Sequence, residues 1–499
     1  MGIIGAYILA LIMLLGGSRG GTDLLDAVLA DTYWQIKNIT PTRDQLEKDA
    51  GVDAAPVGFD DLIKTLASDD FATRDKARQE LERMGPAIIP QLKPVAASVD
   101  PEVAAVATDL IKRFSEHSQE RAIRRLMAIR TLGEHKEKAS LPLLNGLTDS
   151  KEMFVADYAR RAIAQINNEK QPPIDHSAAM AGDLALLPKE TALVAQASGI
   201  NPEQLTVATV VEKSIAFMAL QPGKPGAPPA NKPDAKQMVI DASKGLLSIL
   251  ERVGNIRLDG ISLGFNYQKP DDGWFTVIVR GKYDSARVFA TAKELLGVNA
   301  KNTPALKPGD VPMISDPSDD MNVLFPNDEQ LILLSTPNEK SAPIRDLILT
   351  ALKAGKGNLA DNKEIAALLK AIDTKSPIWA AANLTDAMAT DIFTHFKTIT
   401  LESKPTKDGI AITINGDGTD EKEVKASVDQ LGASLKQSLE MIHTLAQTNQ
   451  SMQPVADFMS SIKLVSEAKH ATFTAEVKSE IIYSILGETG TMLPLIPHP

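Results

Sequence analysis

Along the first third of the chain, apolar residues recur at the three- and four-residue spacing of amphipathic helices; beyond about residue 190 the pattern changes to short alternating runs. The segment "TDLLDAVLADTYWQIKN" sets Leu24, Leu25, Val28, Leu29 and Trp34 near one helical face, and "ITPTRDQLEKDAG" predicts a turn and a short helix. From Phe59 onward, short amphipathic helices follow, with small residues where neighbouring helices would touch. Alternation then predicts strands at "TALVAQAS", "GISLGFNY", "WFTVIVRG", "MNVLFP", "QLILLS" and "PIWAAANL". Helices are expected at 202–220, over "KQMVIDASKGLLSILERVG", and at 285–296, 342–353 and 362–371. Asp271-Asp272-Gly273 joins two alternating runs and signals a hairpin.

Two stretches share one order of features. "ISLGFNYQKPDDGWFTVIVRGKYDSARVFATAKELLG" and "ITLESKPTKDGIAITINGDGTDEKEVKASVDQLGASL" each run strand, Asp-Gly hairpin, strand, Gly, amphipathic helix. Ile261 answers Ile399, Leu263 answers Leu401, and Gly273 answers Gly409. The reading is a duplicated strand-strand-helix domain over 182–490, in which antiparallel strands with helices on one face bury those helices' apolar stripes.

The helical third carries "TRDKARQELERMGPAIIPQL", "DPEVAAVATDLIKRF" and "LMAIRTLGEHKEKASLPLLNGLTDSKEMFVADYARRAIAQI". In these segments the chain resembles the HEAT-repeat family, an α-solenoid of stacked helix pairs. Ala77, Leu81 and Gly85, then Ala128, Leu132 and Gly133, then Ala159, Ala162 and Ile166 hold the matching places. Ala77 to Ala107 is 30 residues, Ala107 to Ala128 is 21 and Ala128 to Ala159 is 31, so the repeat is irregular. Arg74 holds the family's arginine position, while Ala104 and Ala156 replace it elsewhere. The opening of the following domain, "ALLPKETALV", is similar to that of uncharacterised exported bacterial proteins fused to HEAT repeats, a resemblance that implies no reaction.

The fold class expected is therefore α+β multidomain: a short N-terminal HEAT-like α-solenoid followed by the duplicated domain. The boundaries read as a signal peptide or membrane anchor over 1–21, a helical connector over 22–58, the solenoid over 59–168 and a linker over 169–181. The duplicated domain fills 182–490, with a mobile Pro/Gly loop at 221–236, and a tail covers 491–499.

The N-terminus sharpens this picture, because Ile3 to Leu15 is uncharged and apolar, with Gly16, Gly17 and Ser18 after it. That length suits a signal-peptide core better than a full span. No Lys or Arg precedes Arg19, so a buried N-terminal helix of a cytoplasmic protein stays as the alternative to export or anchoring in the cell envelope. The remaining composition is that of a folded protein: 499 residues, 43% hydrophobic and 23% charged, enough for two or three domains. A net charge of -11 argues against nucleic acid as a partner. The absence of cysteine excludes disulfides, thiolate catalysis and Cys-ligated metals. No two of the seven histidines fall three or four apart, as helical metal ligands would, and neither metal nor cofactor is expected.

Gly260-Ile261-Ser262-Leu263-Gly264 spells the G-x-S-x-G of a hydrolase nucleophile elbow. An elbow needs a strand before the first glycine and a helix after the second, and the predicted context is the reverse. Ser262 as a hydrolase nucleophile is thus the disfavoured alternative. "NGDGTDEKE" at 415–423 suggests a calcium loop, yet Asp420 and Ala426 stand where an EF-hand needs Gly and Glu, so a turn capping the next helix accounts for it better. "DPSDD" reads as a solvated acidic loop, and Gly355-Lys356-Gly357 as a loop without the rest of a phosphate-binding motif.

One charge feature remains. Between Lys112 and Arg161 stand eleven Lys and Arg against seven Asp and Glu, dominated by Arg121, Arg124, Arg125, Arg160 and Arg161. Two readings fit: a solvated face laced with i,i+4 pairs, or a surface for a protein partner or another anionic surface. The function expected is a non-catalytic protein-binding or scaffold role in the cell envelope, with these five arginines as partner-binding candidates.

Overall fold

A computed structural model describes residues 22–51, 58–84, 88–116, 118–169, 177–198, 234–266, 273–295, 310–316, 321–335, 342–384, 395–407, 409–448 and 453–478. The apolar run at 3–15, Gly85, the helix expected at 202–220, the loop at 221–233, Asp271-Asp272 and residues 317–320 lie outside this set. The chain is a mixture of helix and sheet with one large antiparallel sheet. It divides into two units: residues 30–172 with 244–255, and residues 1–29, 173–243 and 256–499.

The first unit is helical: α1 (Ala30–Ile36), α2 (Arg43–Ala50), α3 (Phe59–Leu66), α4 (Phe71–Met84), α5 (Ile89–Val95), α6 (Pro101–Glu116), α7 (Ser118–Glu134), α8 (Leu141–Leu147) and α9 (Val155–Asn167). Proline at the first or second position starts α5 and α8, where its missing N–H would have no partner anyway. Leu66, Ala77, Leu81, Ile88, Leu92, Val103, Ala107 and Leu110 form one core across α3 to α6. Ala77, Ala107, Ala128 and Ala159, the small residues of the sequence pattern, are all buried. Gly133 shows why size matters there, since a Cβ on it would lie 2.7 Å from the Ala162 Cα. Side chains no larger than hydrogen or methyl let α7 and α9 approach this closely.

The connector expected over 22–58 is divided. Its α1 and α2 belong to the helical unit, because Trp34 Nε1 donates to Thr131 Oγ1 of α7 at 2.9 Å and Lys37 bridges Glu120 and Glu251 at 2.7 Å each. Burial works to lower the Lys37 pKa, but the hydrogen bonds to both carboxylates outweigh it and hold the ammonium above its ordinary range. Its first residues instead form β1 (Thr22–Asp23), a two-residue strand paired with Leu258 and Arg257.

The second unit is built on twelve strands: β1, β2 (Leu193–Ser198), β3 (Arg257–Asn266), β4 (Trp274–Lys282), β5 (Met313–Asp316), β6 (Met321–Asn327), β7 (Gln330–Ser335), β8 (Ile378–Asn383), β9 (Phe396–Pro405), β10 (Gly409–Gly418), β11 (Lys463–Glu467) and β12 (His470–Lys478). Every pairing is antiparallel. Outward from the central β2–β8 pair the order is β3, β4, β7, β6, β5 on one side and β9, β10, β12, β11 on the other. Its helices are α10 (Ser177–Leu184), α11 (Ala235–Val253, up to Ser243), α12 (Ser285–Leu295), α13 (Ala342–Ala354), α14 (Lys363–Ala371), α15 (Glu421–Thr448) and α16 (Gln453–Ser461).

Residues directly opposed in an antiparallel ladder share a face. Val194, Ile278, Ile332, Leu334, Trp379 and Ala381 therefore lie on one side of the sheet, where Ile344 and Ile348 of α13 and Ile365 of α14 cover them. Ile261, Leu263, Val277, Val279 and Leu333 occupy the other side. On that second side Val428 and Leu431 of α15 meet Ile399, Ile414, Leu464 and Phe473. Helices thus pack on both faces, which is more than the one-sided cover that the sequence pattern predicts.

Candidate functional site

Ser262 is the one residue with a catalytic motif around it, and its surroundings are those of a core strand. It sits in mid β3 between Gln196 of β2 and Ile278 of β4, on the face beneath α13 and α14. The side chain is fully buried, and Oγ accepts a 2.9 Å hydrogen bond from Gln196 Nε2, which also donates to the Met180 carbonyl at 2.6 Å. The neighbouring glycines serve packing: a Cβ on Gly260 would lie 2.6 Å from Met180, and one on Gly264 would lie 2.8 Å from Leu187. No strained turn lifts the hydroxyl, and β3 continues two residues past the second glycine.

The arginines of α7 and α9 fall into two groups. Arg124 Nε donates to Asp49 of α2 at 2.9 Å, and its guanidinium lies 5.9 Å above the Trp34 ring. Arg125 Nε donates to the Ala50 carbonyl at 3.2 Å and Nη1 to Glu152 at 2.6 Å, with only 12% of the side chain exposed. These two therefore rivet α7 to the end of α2 and to the turn before α9. Arg161 stacks 4.1 Å over Tyr158 within α9. Arg121 is exposed, and Arg160, 55% exposed, donates to Asp157 in its own helix and to the Thr148 carbonyl that ends α8.

The other motifs resolve into local structure. Asp420 accepts from the amides of Lys422 and Glu423 at 2.8 and 3.2 Å and caps α15, as Asp284 accepts from Arg287 N at 3.0 Å to cap α12. Asn415 accepts from Thr472, and Asp417 Oδ1 lies 2.8 Å from His470 Nδ1, so the calcium-loop oxygens point to different neighbours. Gly355 ends α13 at φ 70°, where Lys356 N reaches back to the Ala351 carbonyl at 3.0 Å. Among the described residues, no group of three or more His, Asp or Glu gathers as a metal site, and no helix is long and apolar enough to cross a membrane.

Sequence reading missed one polar constellation. Asp183 of α10, fully buried, receives hydrogen bonds from Arg280 Nε of β4 at 3.2 Å and from Gln330 Nε2 of β7 at 2.5 Å, and Arg280 Nη2 closes a second contact with it. Burial pushes the Asp183 carboxyl above the usual carboxylate range, against the pull of Arg280 and Gln330. Beside it opens a cavity of about 370 Å³ lined by Gly182, Arg280, Asn327, Gln330, Lys353 and Gly355 among others. Its polar lining is Lys353, the side chains of Asn327 and Gln330 and the Arg280 guanidinium, which is already committed to Asp183. The signal is absent from local sequence, since Asp183 is separated from Arg280 by 97 positions and from Gln330 by 147.

No family model matches the chain, and no curated protein matches it. Crystal form I of TP0453 is similar over 61% of this chain and 96% of that chain, at 7% identity and a TM-score of 0.29. Crystal form IV of TP0453 gives the same coverage, at 8% identity and a TM-score of 0.30. Likeness at this level is too slight to assign either fold or function.

Proposed function

We propose that the chain is a non-catalytic protein-binding or scaffold protein of the cell envelope. A short HEAT-like α-solenoid offers the binding surface, and a duplicated sheet domain forms the body. The carrying observation is the division of the arginines: Arg124 and Arg125 secure the helices, while Arg121 and Arg160 stand exposed on α7 and α9. Stacked helices give such side chains a continuous surface, which suits an acidic face on a partner protein.

Support for the architecture comes from packing and order. The alanines of the repeat pattern are buried at helix contacts. In the sheet, β2-β3-β4-β7-β6 and β8-β9-β10-β12-β11 trace one order twice, with a helix after β4 and after β10. Ile261 and Ile399, matched by sequence, lie on the same face of the sheet, opposite Ala197 of β2 and Ala382 of β8. Burial of Ser262 supports the non-catalytic reading.

Two assays test this function. Fractionation of the native protein is expected to recover it with the envelope, and a broad serine-reactive probe is expected to leave Ser262 unlabelled. Recovery in the cytoplasm would contradict the location, and modification of Ser262 would replace binding by hydrolysis.

A further inference from the structure

One margin of the sheet carries a self-complementary pattern. β11 is the last strand in the order and pairs, among the described residues, with β12 alone. It reads Lys463-Leu464-Val465-Ser466-Glu467. Val465 is 52% exposed, and among the described residues it alone of the exposed large apolar side chains belongs to a strand. Lys463 and Glu467 are exposed two residues to either side of it, on its face of the sheet, and neither makes an ion pair among the described residues.

The backbone register shows which groups are free to bind. Glu467 and His470 flank the two-residue turn Ala468–Lys469 and so form the hydrogen-bonded pair that closes the hairpin. Alternation then directs the amides and carbonyls of Lys463, Val465 and Glu467 to β12, and those of Leu464 and Ser466 away from the sheet. Ser461 fixes the same parity: its Oγ accepts from Glu476 N at 3.0 Å and donates to Glu476 O at 3.3 Å, so even-numbered residues of β12 turn toward the β11 side.

We propose that β11 pairs antiparallel with β11 of a second copy of this chain, about a twofold axis at Val465. Leu464 then faces Ser466 of the second copy, and Ser466 faces Leu464 of the second copy, each pair exchanging two N–H···O bonds. Val465 meets its own counterpart in the closer, non-hydrogen-bonded type of pair, and Lys463 faces Glu467 of the second copy at both ends. Charge selects this occupant. Parallel self-pairing would set Lys against Lys and Glu against Glu, and a uniformly acidic or basic strand would match only one end. The contact is isologous and closes at two copies, and its short length makes it concentration-dependent. This surface is independent of the helical binding face.

Sedimentation velocity of the full chain over a concentration series tests it. A monomer–dimer equilibrium is expected. Lys463→Glu sets like charges opposite each other at both ends and should weaken the dimer about tenfold or more. The double variant Lys463→Glu/Glu467→Lys restores the pairing and should restore the dimer. Ser466→Pro removes an outward N–H while sparing the β11–β12 bonds, and should give monomer with an unchanged melting temperature. If Ser466→Pro does not fold, the two charge variants still decide. A chain that is monomeric at every concentration overturns the proposal. So does a dimer indifferent to Lys463→Glu, or one that the double variant fails to restore.

Discussion

Arg124 Nε lies 2.9 Å from Asp49 Oδ2, across 75 positions of sequence, and joins α7 to α2 in the helical unit. A residue that reads as surface charge in the sequence is thus a tie between helices. Arg125 does the same to the Ala50 carbonyl and to Glu152. Arg124→Glu would set two carboxylates together, and Arg125→Glu would do so at Glu152. Each is expected to lower stability by about 1 to 2 kcal/mol, the smaller figure for the more solvent-screened Arg124. Reversal of Arg160, which is 55% exposed and bonded to Asp157 and to the Thr148 carbonyl at the end of α8, should cost less, about 0.5 kcal/mol. Urea unfolding of the three variants checks this, and equal stabilities would contradict it.

Gly133 gives a second test of the helical packing. Its replacement by Val would drive a side chain into Ala162, already 2.7 Å from where a Cβ would stand. Overpacking of this kind costs about 1 to 3 kcal/mol, and Val regains little in helix propensity over Gly. The melting temperature should fall by several degrees, roughly 4 for each kcal/mol in a domain of this size. A variant as stable as wild type would show that α7 and α9 do not meet there.

The buried Asp183–Arg280 pair makes a pH-dependent prediction. Asp183 in the folded chain holds its proton more tightly than an ordinary carboxyl, because of burial. Stability from such a group is full below its unfolded pKa and lost as pH rises through the folded value. Arg280→Met removes the compensating guanidinium and raises the folded value further. The variant should lose about 3 kcal/mol near neutral pH, and the deficit should shrink on acidification as Asp183 becomes neutral. Chemical unfolding of both proteins at several pH values measures the difference, and a deficit that grows on acidification would contradict the assignment.

These residues mark what sequence could and could not convey. Alternation placed β3, β4, β6, β7 and β8 to within three residues, because one face of each strand enters an apolar core. The capping turn at 415–423 was equally legible, since a cap such as Asp420 acts on amides two or three residues away. β1 and β5 were not, as two and four residues hold too little period to read. Strands β11 and β12 went unread, and β11 alternates over only five residues with charges at both ends. The arginine cluster showed as composition, but nothing local to Arg124 or Arg125 announced Asp49 or Ala50. The Asp183–Arg280–Gln330 constellation likewise exists only once β4, β7 and α10 have come together.

The central claim, a protein-binding face on the helical unit, rests on Arg121 and Arg160, exposed on α7 and α9. The direct measurement is capture of envelope proteins by wild type and by Arg121→Glu/Arg160→Glu at matched melting temperature, over a salt series. The account predicts a defined partner retained by wild type, released as salt rises, and lost by about tenfold or more in the variant. Equal capture of that partner by the folded variant at every salt concentration would contradict it.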